Sequence, residues 1–333
     1  MRHIFAIMIA ALFLFYPSHG FTSALGGKEI ISEGAYNMGD GETPSVAESR
    51  ALLNAKRVAL EQAGTYVENY TKVENMQVTE DEIKVLTSGI MEVEILDKKR
   101  TIVGDGIRFW VKIKARVNPD RIQEMANKIK VKDKSVVEDY KKVQEAYDKS
   151  QKEIEELKKQ LAQAKDKKER KQVEAKITDD ERLFQANEWF AKGNQHYLNE
   201  EGYKAIEAYT WAITLNTNYA DAYNKRGIAY AYEGQRDMAI EDFNKAIAIN
   251  PNNVRYYNDR GVAYYTKGQY DKAIEDYNRS IVINPNDGEA YNSRAVAYYK
   301  KGQYDKMISD FKKACNLGYE NGCDWLQRFL QKR

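Results

Sequence analysis

Histidine is almost missing from this chain. It has three in 333 residues, and two of them, His3 and His19, fall near its start, so only His196 serves the rest. Cysteine is as scarce, with Cys315 and Cys323 alone. That inventory leaves no room for a Cys/His metal centre or a Ser-His-Asp triad. No glycine-rich phosphate loop and no convergent acidic cluster is visible either, so no cofactor, no metal and no catalytic residue is expected. Neither sign of charge dominates: 52 basic residues face 50 acidic ones. A nucleic-acid binder would show a basic excess, so no nucleic-acid partner is expected. Long apolar runs are absent after residue 16, which excludes a membrane-spanning helix in the remainder of the chain.

The one apolar run, Ile4 to Tyr16, follows Met1-Arg2-His3 and precedes small residues up to Ala24. A positive start, a short apolar stretch and a small-residue exit predict a secretory signal peptide over 1–24, cut after Gly20 or Ala24. The alternative is an uncleaved signal anchor. The expected location is a bacterial periplasm or another exported compartment.

Residues 185–319 repeat with a period of 34. Tyr223-Asn-Lys-Arg-Gly227, Tyr257-Asn-Asp-Arg-Gly261 and Tyr291-Asn-Ser-Arg-Ala295 align, and so do Ala239…Phe243…Ala246…Pro251, Ala273…Tyr277…Ser280…Pro285 and Met307…Phe311…Ala314. A weaker first copy carries Trp189, Gly193, Ala205, Tyr209 and Ala212. This pattern resembles the tetratricopeptide repeat. The resemblance implies helix pairs stacked into a superhelix, with small residues where two helices approach and aromatics between them. Arg226, Arg260 and Arg294 recur sixteen residues before Asp242, Asp276 and Asp310. Repeat one has Lys192 and Ala208 there, and the joint departure predicts an Arg–Asp contact within each later unit. His196 stands where Tyr230, Tyr264 and Tyr298 stand later, which predicts packing; the alternative is a ligand or a pH switch.

Cys315 and Cys323 close the array, in Lys313-Ala-Cys-Asn-Leu-Gly318 and Asn321-Gly-Cys-Asp-Trp325. Their spacing resembles the disulfide-clipped hairpins of Sel1-like repeat proteins, which implies a Cys315–Cys323 bridge. The alternative is two reduced thiols. Residues 320–333 are expected to form a capping helix.

Residues 28–118 have another texture. Lys28 to Tyr36 suits a strand. Thr43-Pro44-Ser45 starts a helix to about Asn69, with Ala47, Ala51, Ala55, Val58, Gln62 and Tyr66 along one side. Thr79-x-x-Glu82 opens a shorter helix. Strands follow at Met91–Asp97 and Ile107–Val117, the second alternating Ile107, Phe109, Val111, Ile113, Ala115 and Val117 against Arg108, Lys112, Lys114 and Arg116. The strings Ala55–Val67 and Thr87-Ser-Gly-Ile-Met-Glu-Val resemble the N-terminal domain of flagellar assembly protein T and related outer-membrane lipoproteins. That resemblance implies a small α+β (βααββ) envelope domain that docks on other envelope proteins, and it brings no active-site residue.

Residues 120–178 contain neither Gly nor Pro. Tyr140, Tyr147, Ile154 and Leu161, with Val136, Val143, Ser150, Leu157 and Ala164, mark a heptad seam. They predict one long helix or coiled coil. About 45 helical residues would space its ends by roughly 65 Å. Homo-oligomerisation through this seam is one expectation, and a solvated spacer is the other.

The fold class expected overall is multidomain: a βααββ unit, a long helix and an all-α superhelix. Arrays of this kind bind proteins or peptides along the groove of their first helices. Groove positions expected from the repeat frame are Asn187, Phe190, Asn194 and Tyr197, then Asn224, Lys225 and Tyr232, then Arg255, Asn258 and Tyr265, then Asn292 and Tyr299. Asn224, Asn258 and Asn292 form a ladder of amides able to hold an extended backbone, or to bond neighbouring helices. Some tetratricopeptide proteins clamp a carboxylate terminus. This chain keeps that clamp's asparagine as Asn194, but places Phe190, Lys225 and Asp259 where Lys, Asn and Arg are needed. The function expected is an exported, noncatalytic scaffold; the alternative is an envelope-assembly or flagellar accessory protein acting through residues 28–118.

Overall fold

The computed structural model describes residues 27–331, apart from 74, 75, 77, 105, 123 and 127–134. The expected signal segment therefore lies outside the described residues. Strand β1 (Lys28–Met38) leads to helices α1 (Pro44–Val73) and α2 (Glu80–Ile90), then to strands β2 (Met91–Val103) and β3 (Gly106–Val117). The sheet has the antiparallel order β1-β3-β2, with Ile30 opposite Ala115 and Ile95 opposite Ile113. The reciprocal Thr79–Glu82 capping box opens α2 as its sequence requires.

Helix α1 lies on the face carrying Phe109, Val111, Ile113 and Ala115. Its buried stripe is Ala47, Ala51, Ala55, Ala59, Ala63 and Val67, while Val58 is exposed. The expected stripe through Val58, Gln62 and Tyr66 is thus corrected. Residues four apart form a ridge inclined to the helix axis, and alanines along it allow a close approach to the twisted sheet. Ser32 Oγ donates to the Ala55 carbonyl at 2.9 Å, a direct strand-to-helix contact. Strand β2 runs past the expected end at Asp97, because its pairing with β3 resumes after a register shift between Ile95 and Asp97.

The long helix is broken. Helix α3 (Ser135–Gln163) ends, and α4 (Lys167–Leu198) begins after Asp166 caps the backbone N–H groups of Lys168 and Glu169, each at 2.8 Å. The two run back along each other as a hairpin. Ile154, Leu161, Val173 and Ile177 form its core near the tip. The heptad seam is buried, but against the chain itself. Tyr147 meets the Phe184 ring at 5.4 Å, and Ser150 shares hydrogen bonds with Arg50 and Asp180. Arg50 Nη2 also reaches Asp180 at 2.6 Å, so one buried guanidinium ties α1, α3 and α4 together. A straight 65 Å spacer is therefore not what forms.

No boundary separates 178 from 185, since the second half of α4 is the first helix of repeat one. The array continues through α5 (Gly202–Leu215), α6 (Ala220–Tyr232), α7 (Arg236–Ile249), α8 (Val254–Thr266), α9 (Tyr270–Ile283), α10 (Gly288–Lys300) and α11 (Tyr304–Asn316). Helix α12 (Glu320–Gln331) closes it, with Trp325 stacked on Phe311 at 5.8 Å. A Cβ on Gly227 or Gly261 would lie 2.7 or 2.6 Å from the ring of Phe243 or Tyr277, so these positions take no side chain. Cys315 and Cys323 are joined as a disulfide between α11 and α12.

The arginine pairing is present in each of the last three repeats. Arg226 grips Asp242 at 2.7 and 2.8 Å, Arg260 grips Asp276 at 2.9 and 2.6 Å, and Arg294 grips Asp310 at 2.7 Å twice. Each arginine also donates to the preceding repeat, at Thr210, Asn244 or Asn278. One guanidinium thus joins the two helices of its unit and the unit before.

Candidate partner-binding groove

The first helices of the repeats, α4, α6, α8 and α10, share one face. Several residues expected there are used elsewhere. Phe190 is only 1% exposed and packs between the rings of Tyr209 and Tyr219, at 5.7 and 4.9 Å. It belongs to the core of repeat one, because an aromatic one turn before the small Gly193 fills the space between two helices. Asn187 and Asn194 accept hydrogen bonds from the hydroxyls of Tyr219 and Tyr209, at 2.8 and 2.9 Å. His196 is half-buried, and its Nδ1 lies 2.6 Å from Glu201, within the turn that follows.

The asparagine ladder links repeats. Asn224 donates to Asp259 at 2.8 Å and Asn258 donates to Asp287 at 2.9 Å, each partner being in the next repeat. Of the two readings left open by the sequence, bonding between helices is the one realised. The Oδ1 atoms of Asn224, Asn258 and Asn292 are buried without a hydrogen-bond partner.

Lys225 and Arg255 meet carboxylates from far away in the chain. Lys225 Nζ lies 2.8 Å from Asp139 Oδ2, with side-chain exposures of 2% and 1%. Arg255 donates to Asp139 at 2.9 Å and to Glu138 at 2.7 Å. Lys142 reaches Asp221 at 3.3 Å, and the Tyr256 hydroxyl donates to the same carboxylate at 2.7 Å. The first two turns of α3 therefore lie along the face made by α6 and α8. Burial works against the Arg255 charge, but Asp139 and Glu138 outweigh it and hold the guanidinium pKa above its ordinary range. Burial, with Asp221 beside it, pushes the Tyr256 hydroxyl up. As an open binding surface, the part of the groove around Lys225 and Arg255 is corrected: it is filled.

Nothing in the repeat pattern pointed to Glu138 and Asp139. Two adjacent carboxylates near a helix's start, Glu138 in its first turn, suit the helix dipole by themselves, so they read as a solvated helix start. Their destination is a tertiary fact.

Tyr232, Tyr265 and Tyr299 stand toward the ends of their helices. Tyr232 is 62% exposed. Tyr265 and Tyr299 lean on the rings of Tyr270 and Tyr304, at 5.4 and 6.1 Å. Tyr197 lies partly buried beside the Lys225 ammonium. Asn292 and Tyr299 lie beyond the reach of the α3 contacts described, so the groove of the last repeats has no such occupant among the described residues. Between α1, α2, α3 and α4 there is a cavity of about 190 Å³, onto which Val136, Tyr140, Val143 and Tyr147 of α3 face. Among the described residues no group of His, Cys, Asp and Glu could hold a metal ion, and no helix is long and apolar enough to cross a membrane.

Known families match this array. Tetratricopeptide repeat descriptions match residues 220–253, 243–275 and 288–317, and one described as TPR repeat matches 263–302. Residues 220–317 are tetratricopeptide repeats. Among solved structures, the crystal structure of MamA is 27% identical, over 47% of this chain and 98% of that one, with a TM-score of 0.39. The Arabidopsis OM64 TPR domain is 28% identical, over 35% of this chain and 98% of that one, with a TM-score of 0.35. The first TPR of Spaghetti (RPAP3) bound to the HSP90 peptide SRMEEVD is 25% identical, over 36% of this chain and 95% of that one, with a TM-score of 0.35. No curated protein matches the chain.

Proposed function

We propose that this protein is an exported, noncatalytic scaffold whose repeats capture a protein or peptide partner along the face of α6, α8 and α10. The observation that carries this reading is the start of α3 lying on that face through Lys225 and Arg255. A surface that holds one helical segment by charge and shape has the chemistry to hold another. The α+β unit, with its resemblance to envelope domains, supplies a second surface for docking in the envelope. The heptad seam is occupied by α4 of the same chain, which removes the motive for pairing copies through it.

Affinity capture from an envelope fraction tests the groove. Tyr265→Ala with Tyr299→Ala should abolish capture by the full chain, whereas Lys245→Ala with Val282→Ser, on the second helices, should not. Equal loss from both pairs overturns the groove as the binding face. Export has its own check. The mature N-terminus should begin after Gly20 or Ala24; an intact Met1 on protein recovered from the cytoplasm refutes it.

A further inference from the structure

We propose that the cavity between α1, α2, α3 and α4 is a binding site for a small amphipathic carboxylate, a single negative head group on an apolar chain. Its walls are of two kinds. Leu52, Leu60, Val85, Met91, Val136 and Val143 make an apolar interior. The last four are buried members of the two cores that meet there, so this wall is set by the fold and not by an incoming ligand. Lys56, Lys192 and Gln195 also line the cavity and are exposed, which marks its mouth. A preformed apolar interior with a few charged groups is the usual composition of a small-molecule site. Helices of the sheet unit, the hairpin and repeat one all contribute to it, so the ligand sits where these three parts meet.

Volume limits the chain of the ligand. An apolar cavity of roughly 150 Å³ holds one benzene ring. At about 190 Å³ this one is somewhat larger, which suits a body of about eight carbons. Charge limits the head group. Arg57 is already paired with Asp148 at 2.5 Å, and the Lys192 ammonium lies 4.2 Å from the centre of the Trp189 ring. The Lys56 ammonium has no carboxylate within ion-pair distance among the described residues. Burial pulls its pKa down, and Glu188 opposes that from farther away. Burial raises Glu188 in turn, while Lys192 and Lys56 hold it down. With Arg57 set against Asp148, the two lysines against Glu188 leave one positive charge on the lining. One carboxylate balances it. A phosphate dianion would overshoot and meet Glu188, and a cation would add to the surplus.

The test is calorimetric titration of the full chain with octanoate. Saturable binding should appear and should raise the melting temperature. Octanol lacks the charge and butanoate lacks most of the chain, so each should bind about tenfold more weakly or worse. Lys56→Met should weaken octanoate about tenfold or more and leave octanol unchanged. Leu60→Trp, which fills the interior, should abolish binding of both. If octanoate gives no saturable binding to the folded chain, the cavity is a packing gap and the proposal falls. An octanoate affinity unchanged in Lys56→Met, or matched by octanol, overturns the assigned head group. Should Leu60→Trp unfold the chain, Lys56→Met, at the exposed mouth, still decides.

Discussion

Repeat one and the three repeats after it solve the same packing problem by different means. Repeats two to four each carry a half-buried Arg–Asp pair whose arginine also reaches the preceding unit. Repeat one has Lys192 in place of the arginine, and its ammonium lies over the Trp189 ring, which in turn stacks on Trp211 at 5.8 Å. Its first helix is the end of α4, held from outside by Tyr147 on Phe184 and by Arg50 on Asp180. The turn after that helix also differs. Gly234, Gly268 and Gly302 take a positive φ there, whereas repeat one has Glu200 at a φ of 63°. A repeat inside the array is stabilised by devices that recur with the period. The first repeat has no preceding unit and uses contacts that occur once, with the α3–α4 hairpin and the sheet unit as its cap.

The largest expected effect breaks the cap. Asp180→Ala strands Arg50 between α1, α3 and α4, and removing one partner of so buried a pair should cost about 4 kcal/mol in urea unfolding. A loss below about 1 kcal/mol would mean that repeat one does not depend on its non-repeating neighbours.

Next comes the periodic device. Burial raises the Asp276 carboxyl pKa, while Arg260 pulls it down. The pair is less enclosed than Arg50 and Asp180, with side-chain exposures of 19% and 7%. Asp276→Ala should cost about 3 kcal/mol, and a double-mutant cycle with Arg260 should show a coupling energy of about 1 kcal/mol or more. Zero coupling would reduce the pair to two independent surface charges.

Asn258→Ala tests the link between repeats. It removes the hydrogen bond to Asp287 and should cost about 2 kcal/mol, as for other hydrogen bonds to charged groups. An unchanged melting temperature would return this asparagine to the ligand-holding role expected from the ladder.

The smallest effect is a gain. Glu200→Gly should stabilise the chain by about 1 kcal/mol, because glycine adopts the left-handed turn without the Cβ clash. No gain would show that contacts of the Glu200 side chain offset the strain of its backbone.

Much of this architecture was legible from spacing. The period of 34 located the helix pairs, the joint departure of Lys192 and Ala208 located the arginine pairs, and the alternation in β3 located its buried face. The break at 164–166 was harder to see, because it uses neither Gly nor Pro. Its visible trace is Asp166 three residues before Glu169, a capping pattern inside a lysine-rich stretch, together with a heptad seam that stops at the same place. The stripe of α1 was misplaced after Ala55 because periodicity alone does not choose between the three- and four-residue rows of a helix. The inclination of the sheet beneath it makes that choice.

The groove was legible as a surface but not as an occupied one. Local sequence determined the helix pairs, their turns and the seam on α3, since each rests on residues within a few turns or one repeat of each other. Tertiary structure alone decided that the seam closes on α4, and that Asp139 meets Lys225 and Arg255, the latter contact spanning 116 residues. The physical reason is that carboxylate and ammonium groups carry no address. Glu138 and Asp139 are compatible with water, with a helix dipole or with any cation the fold presents. Only the packing of α3 against α1 and α4 brings them to the array's inner face, where the burial of Asp139 makes its pairing obligatory while Glu138 stays exposed.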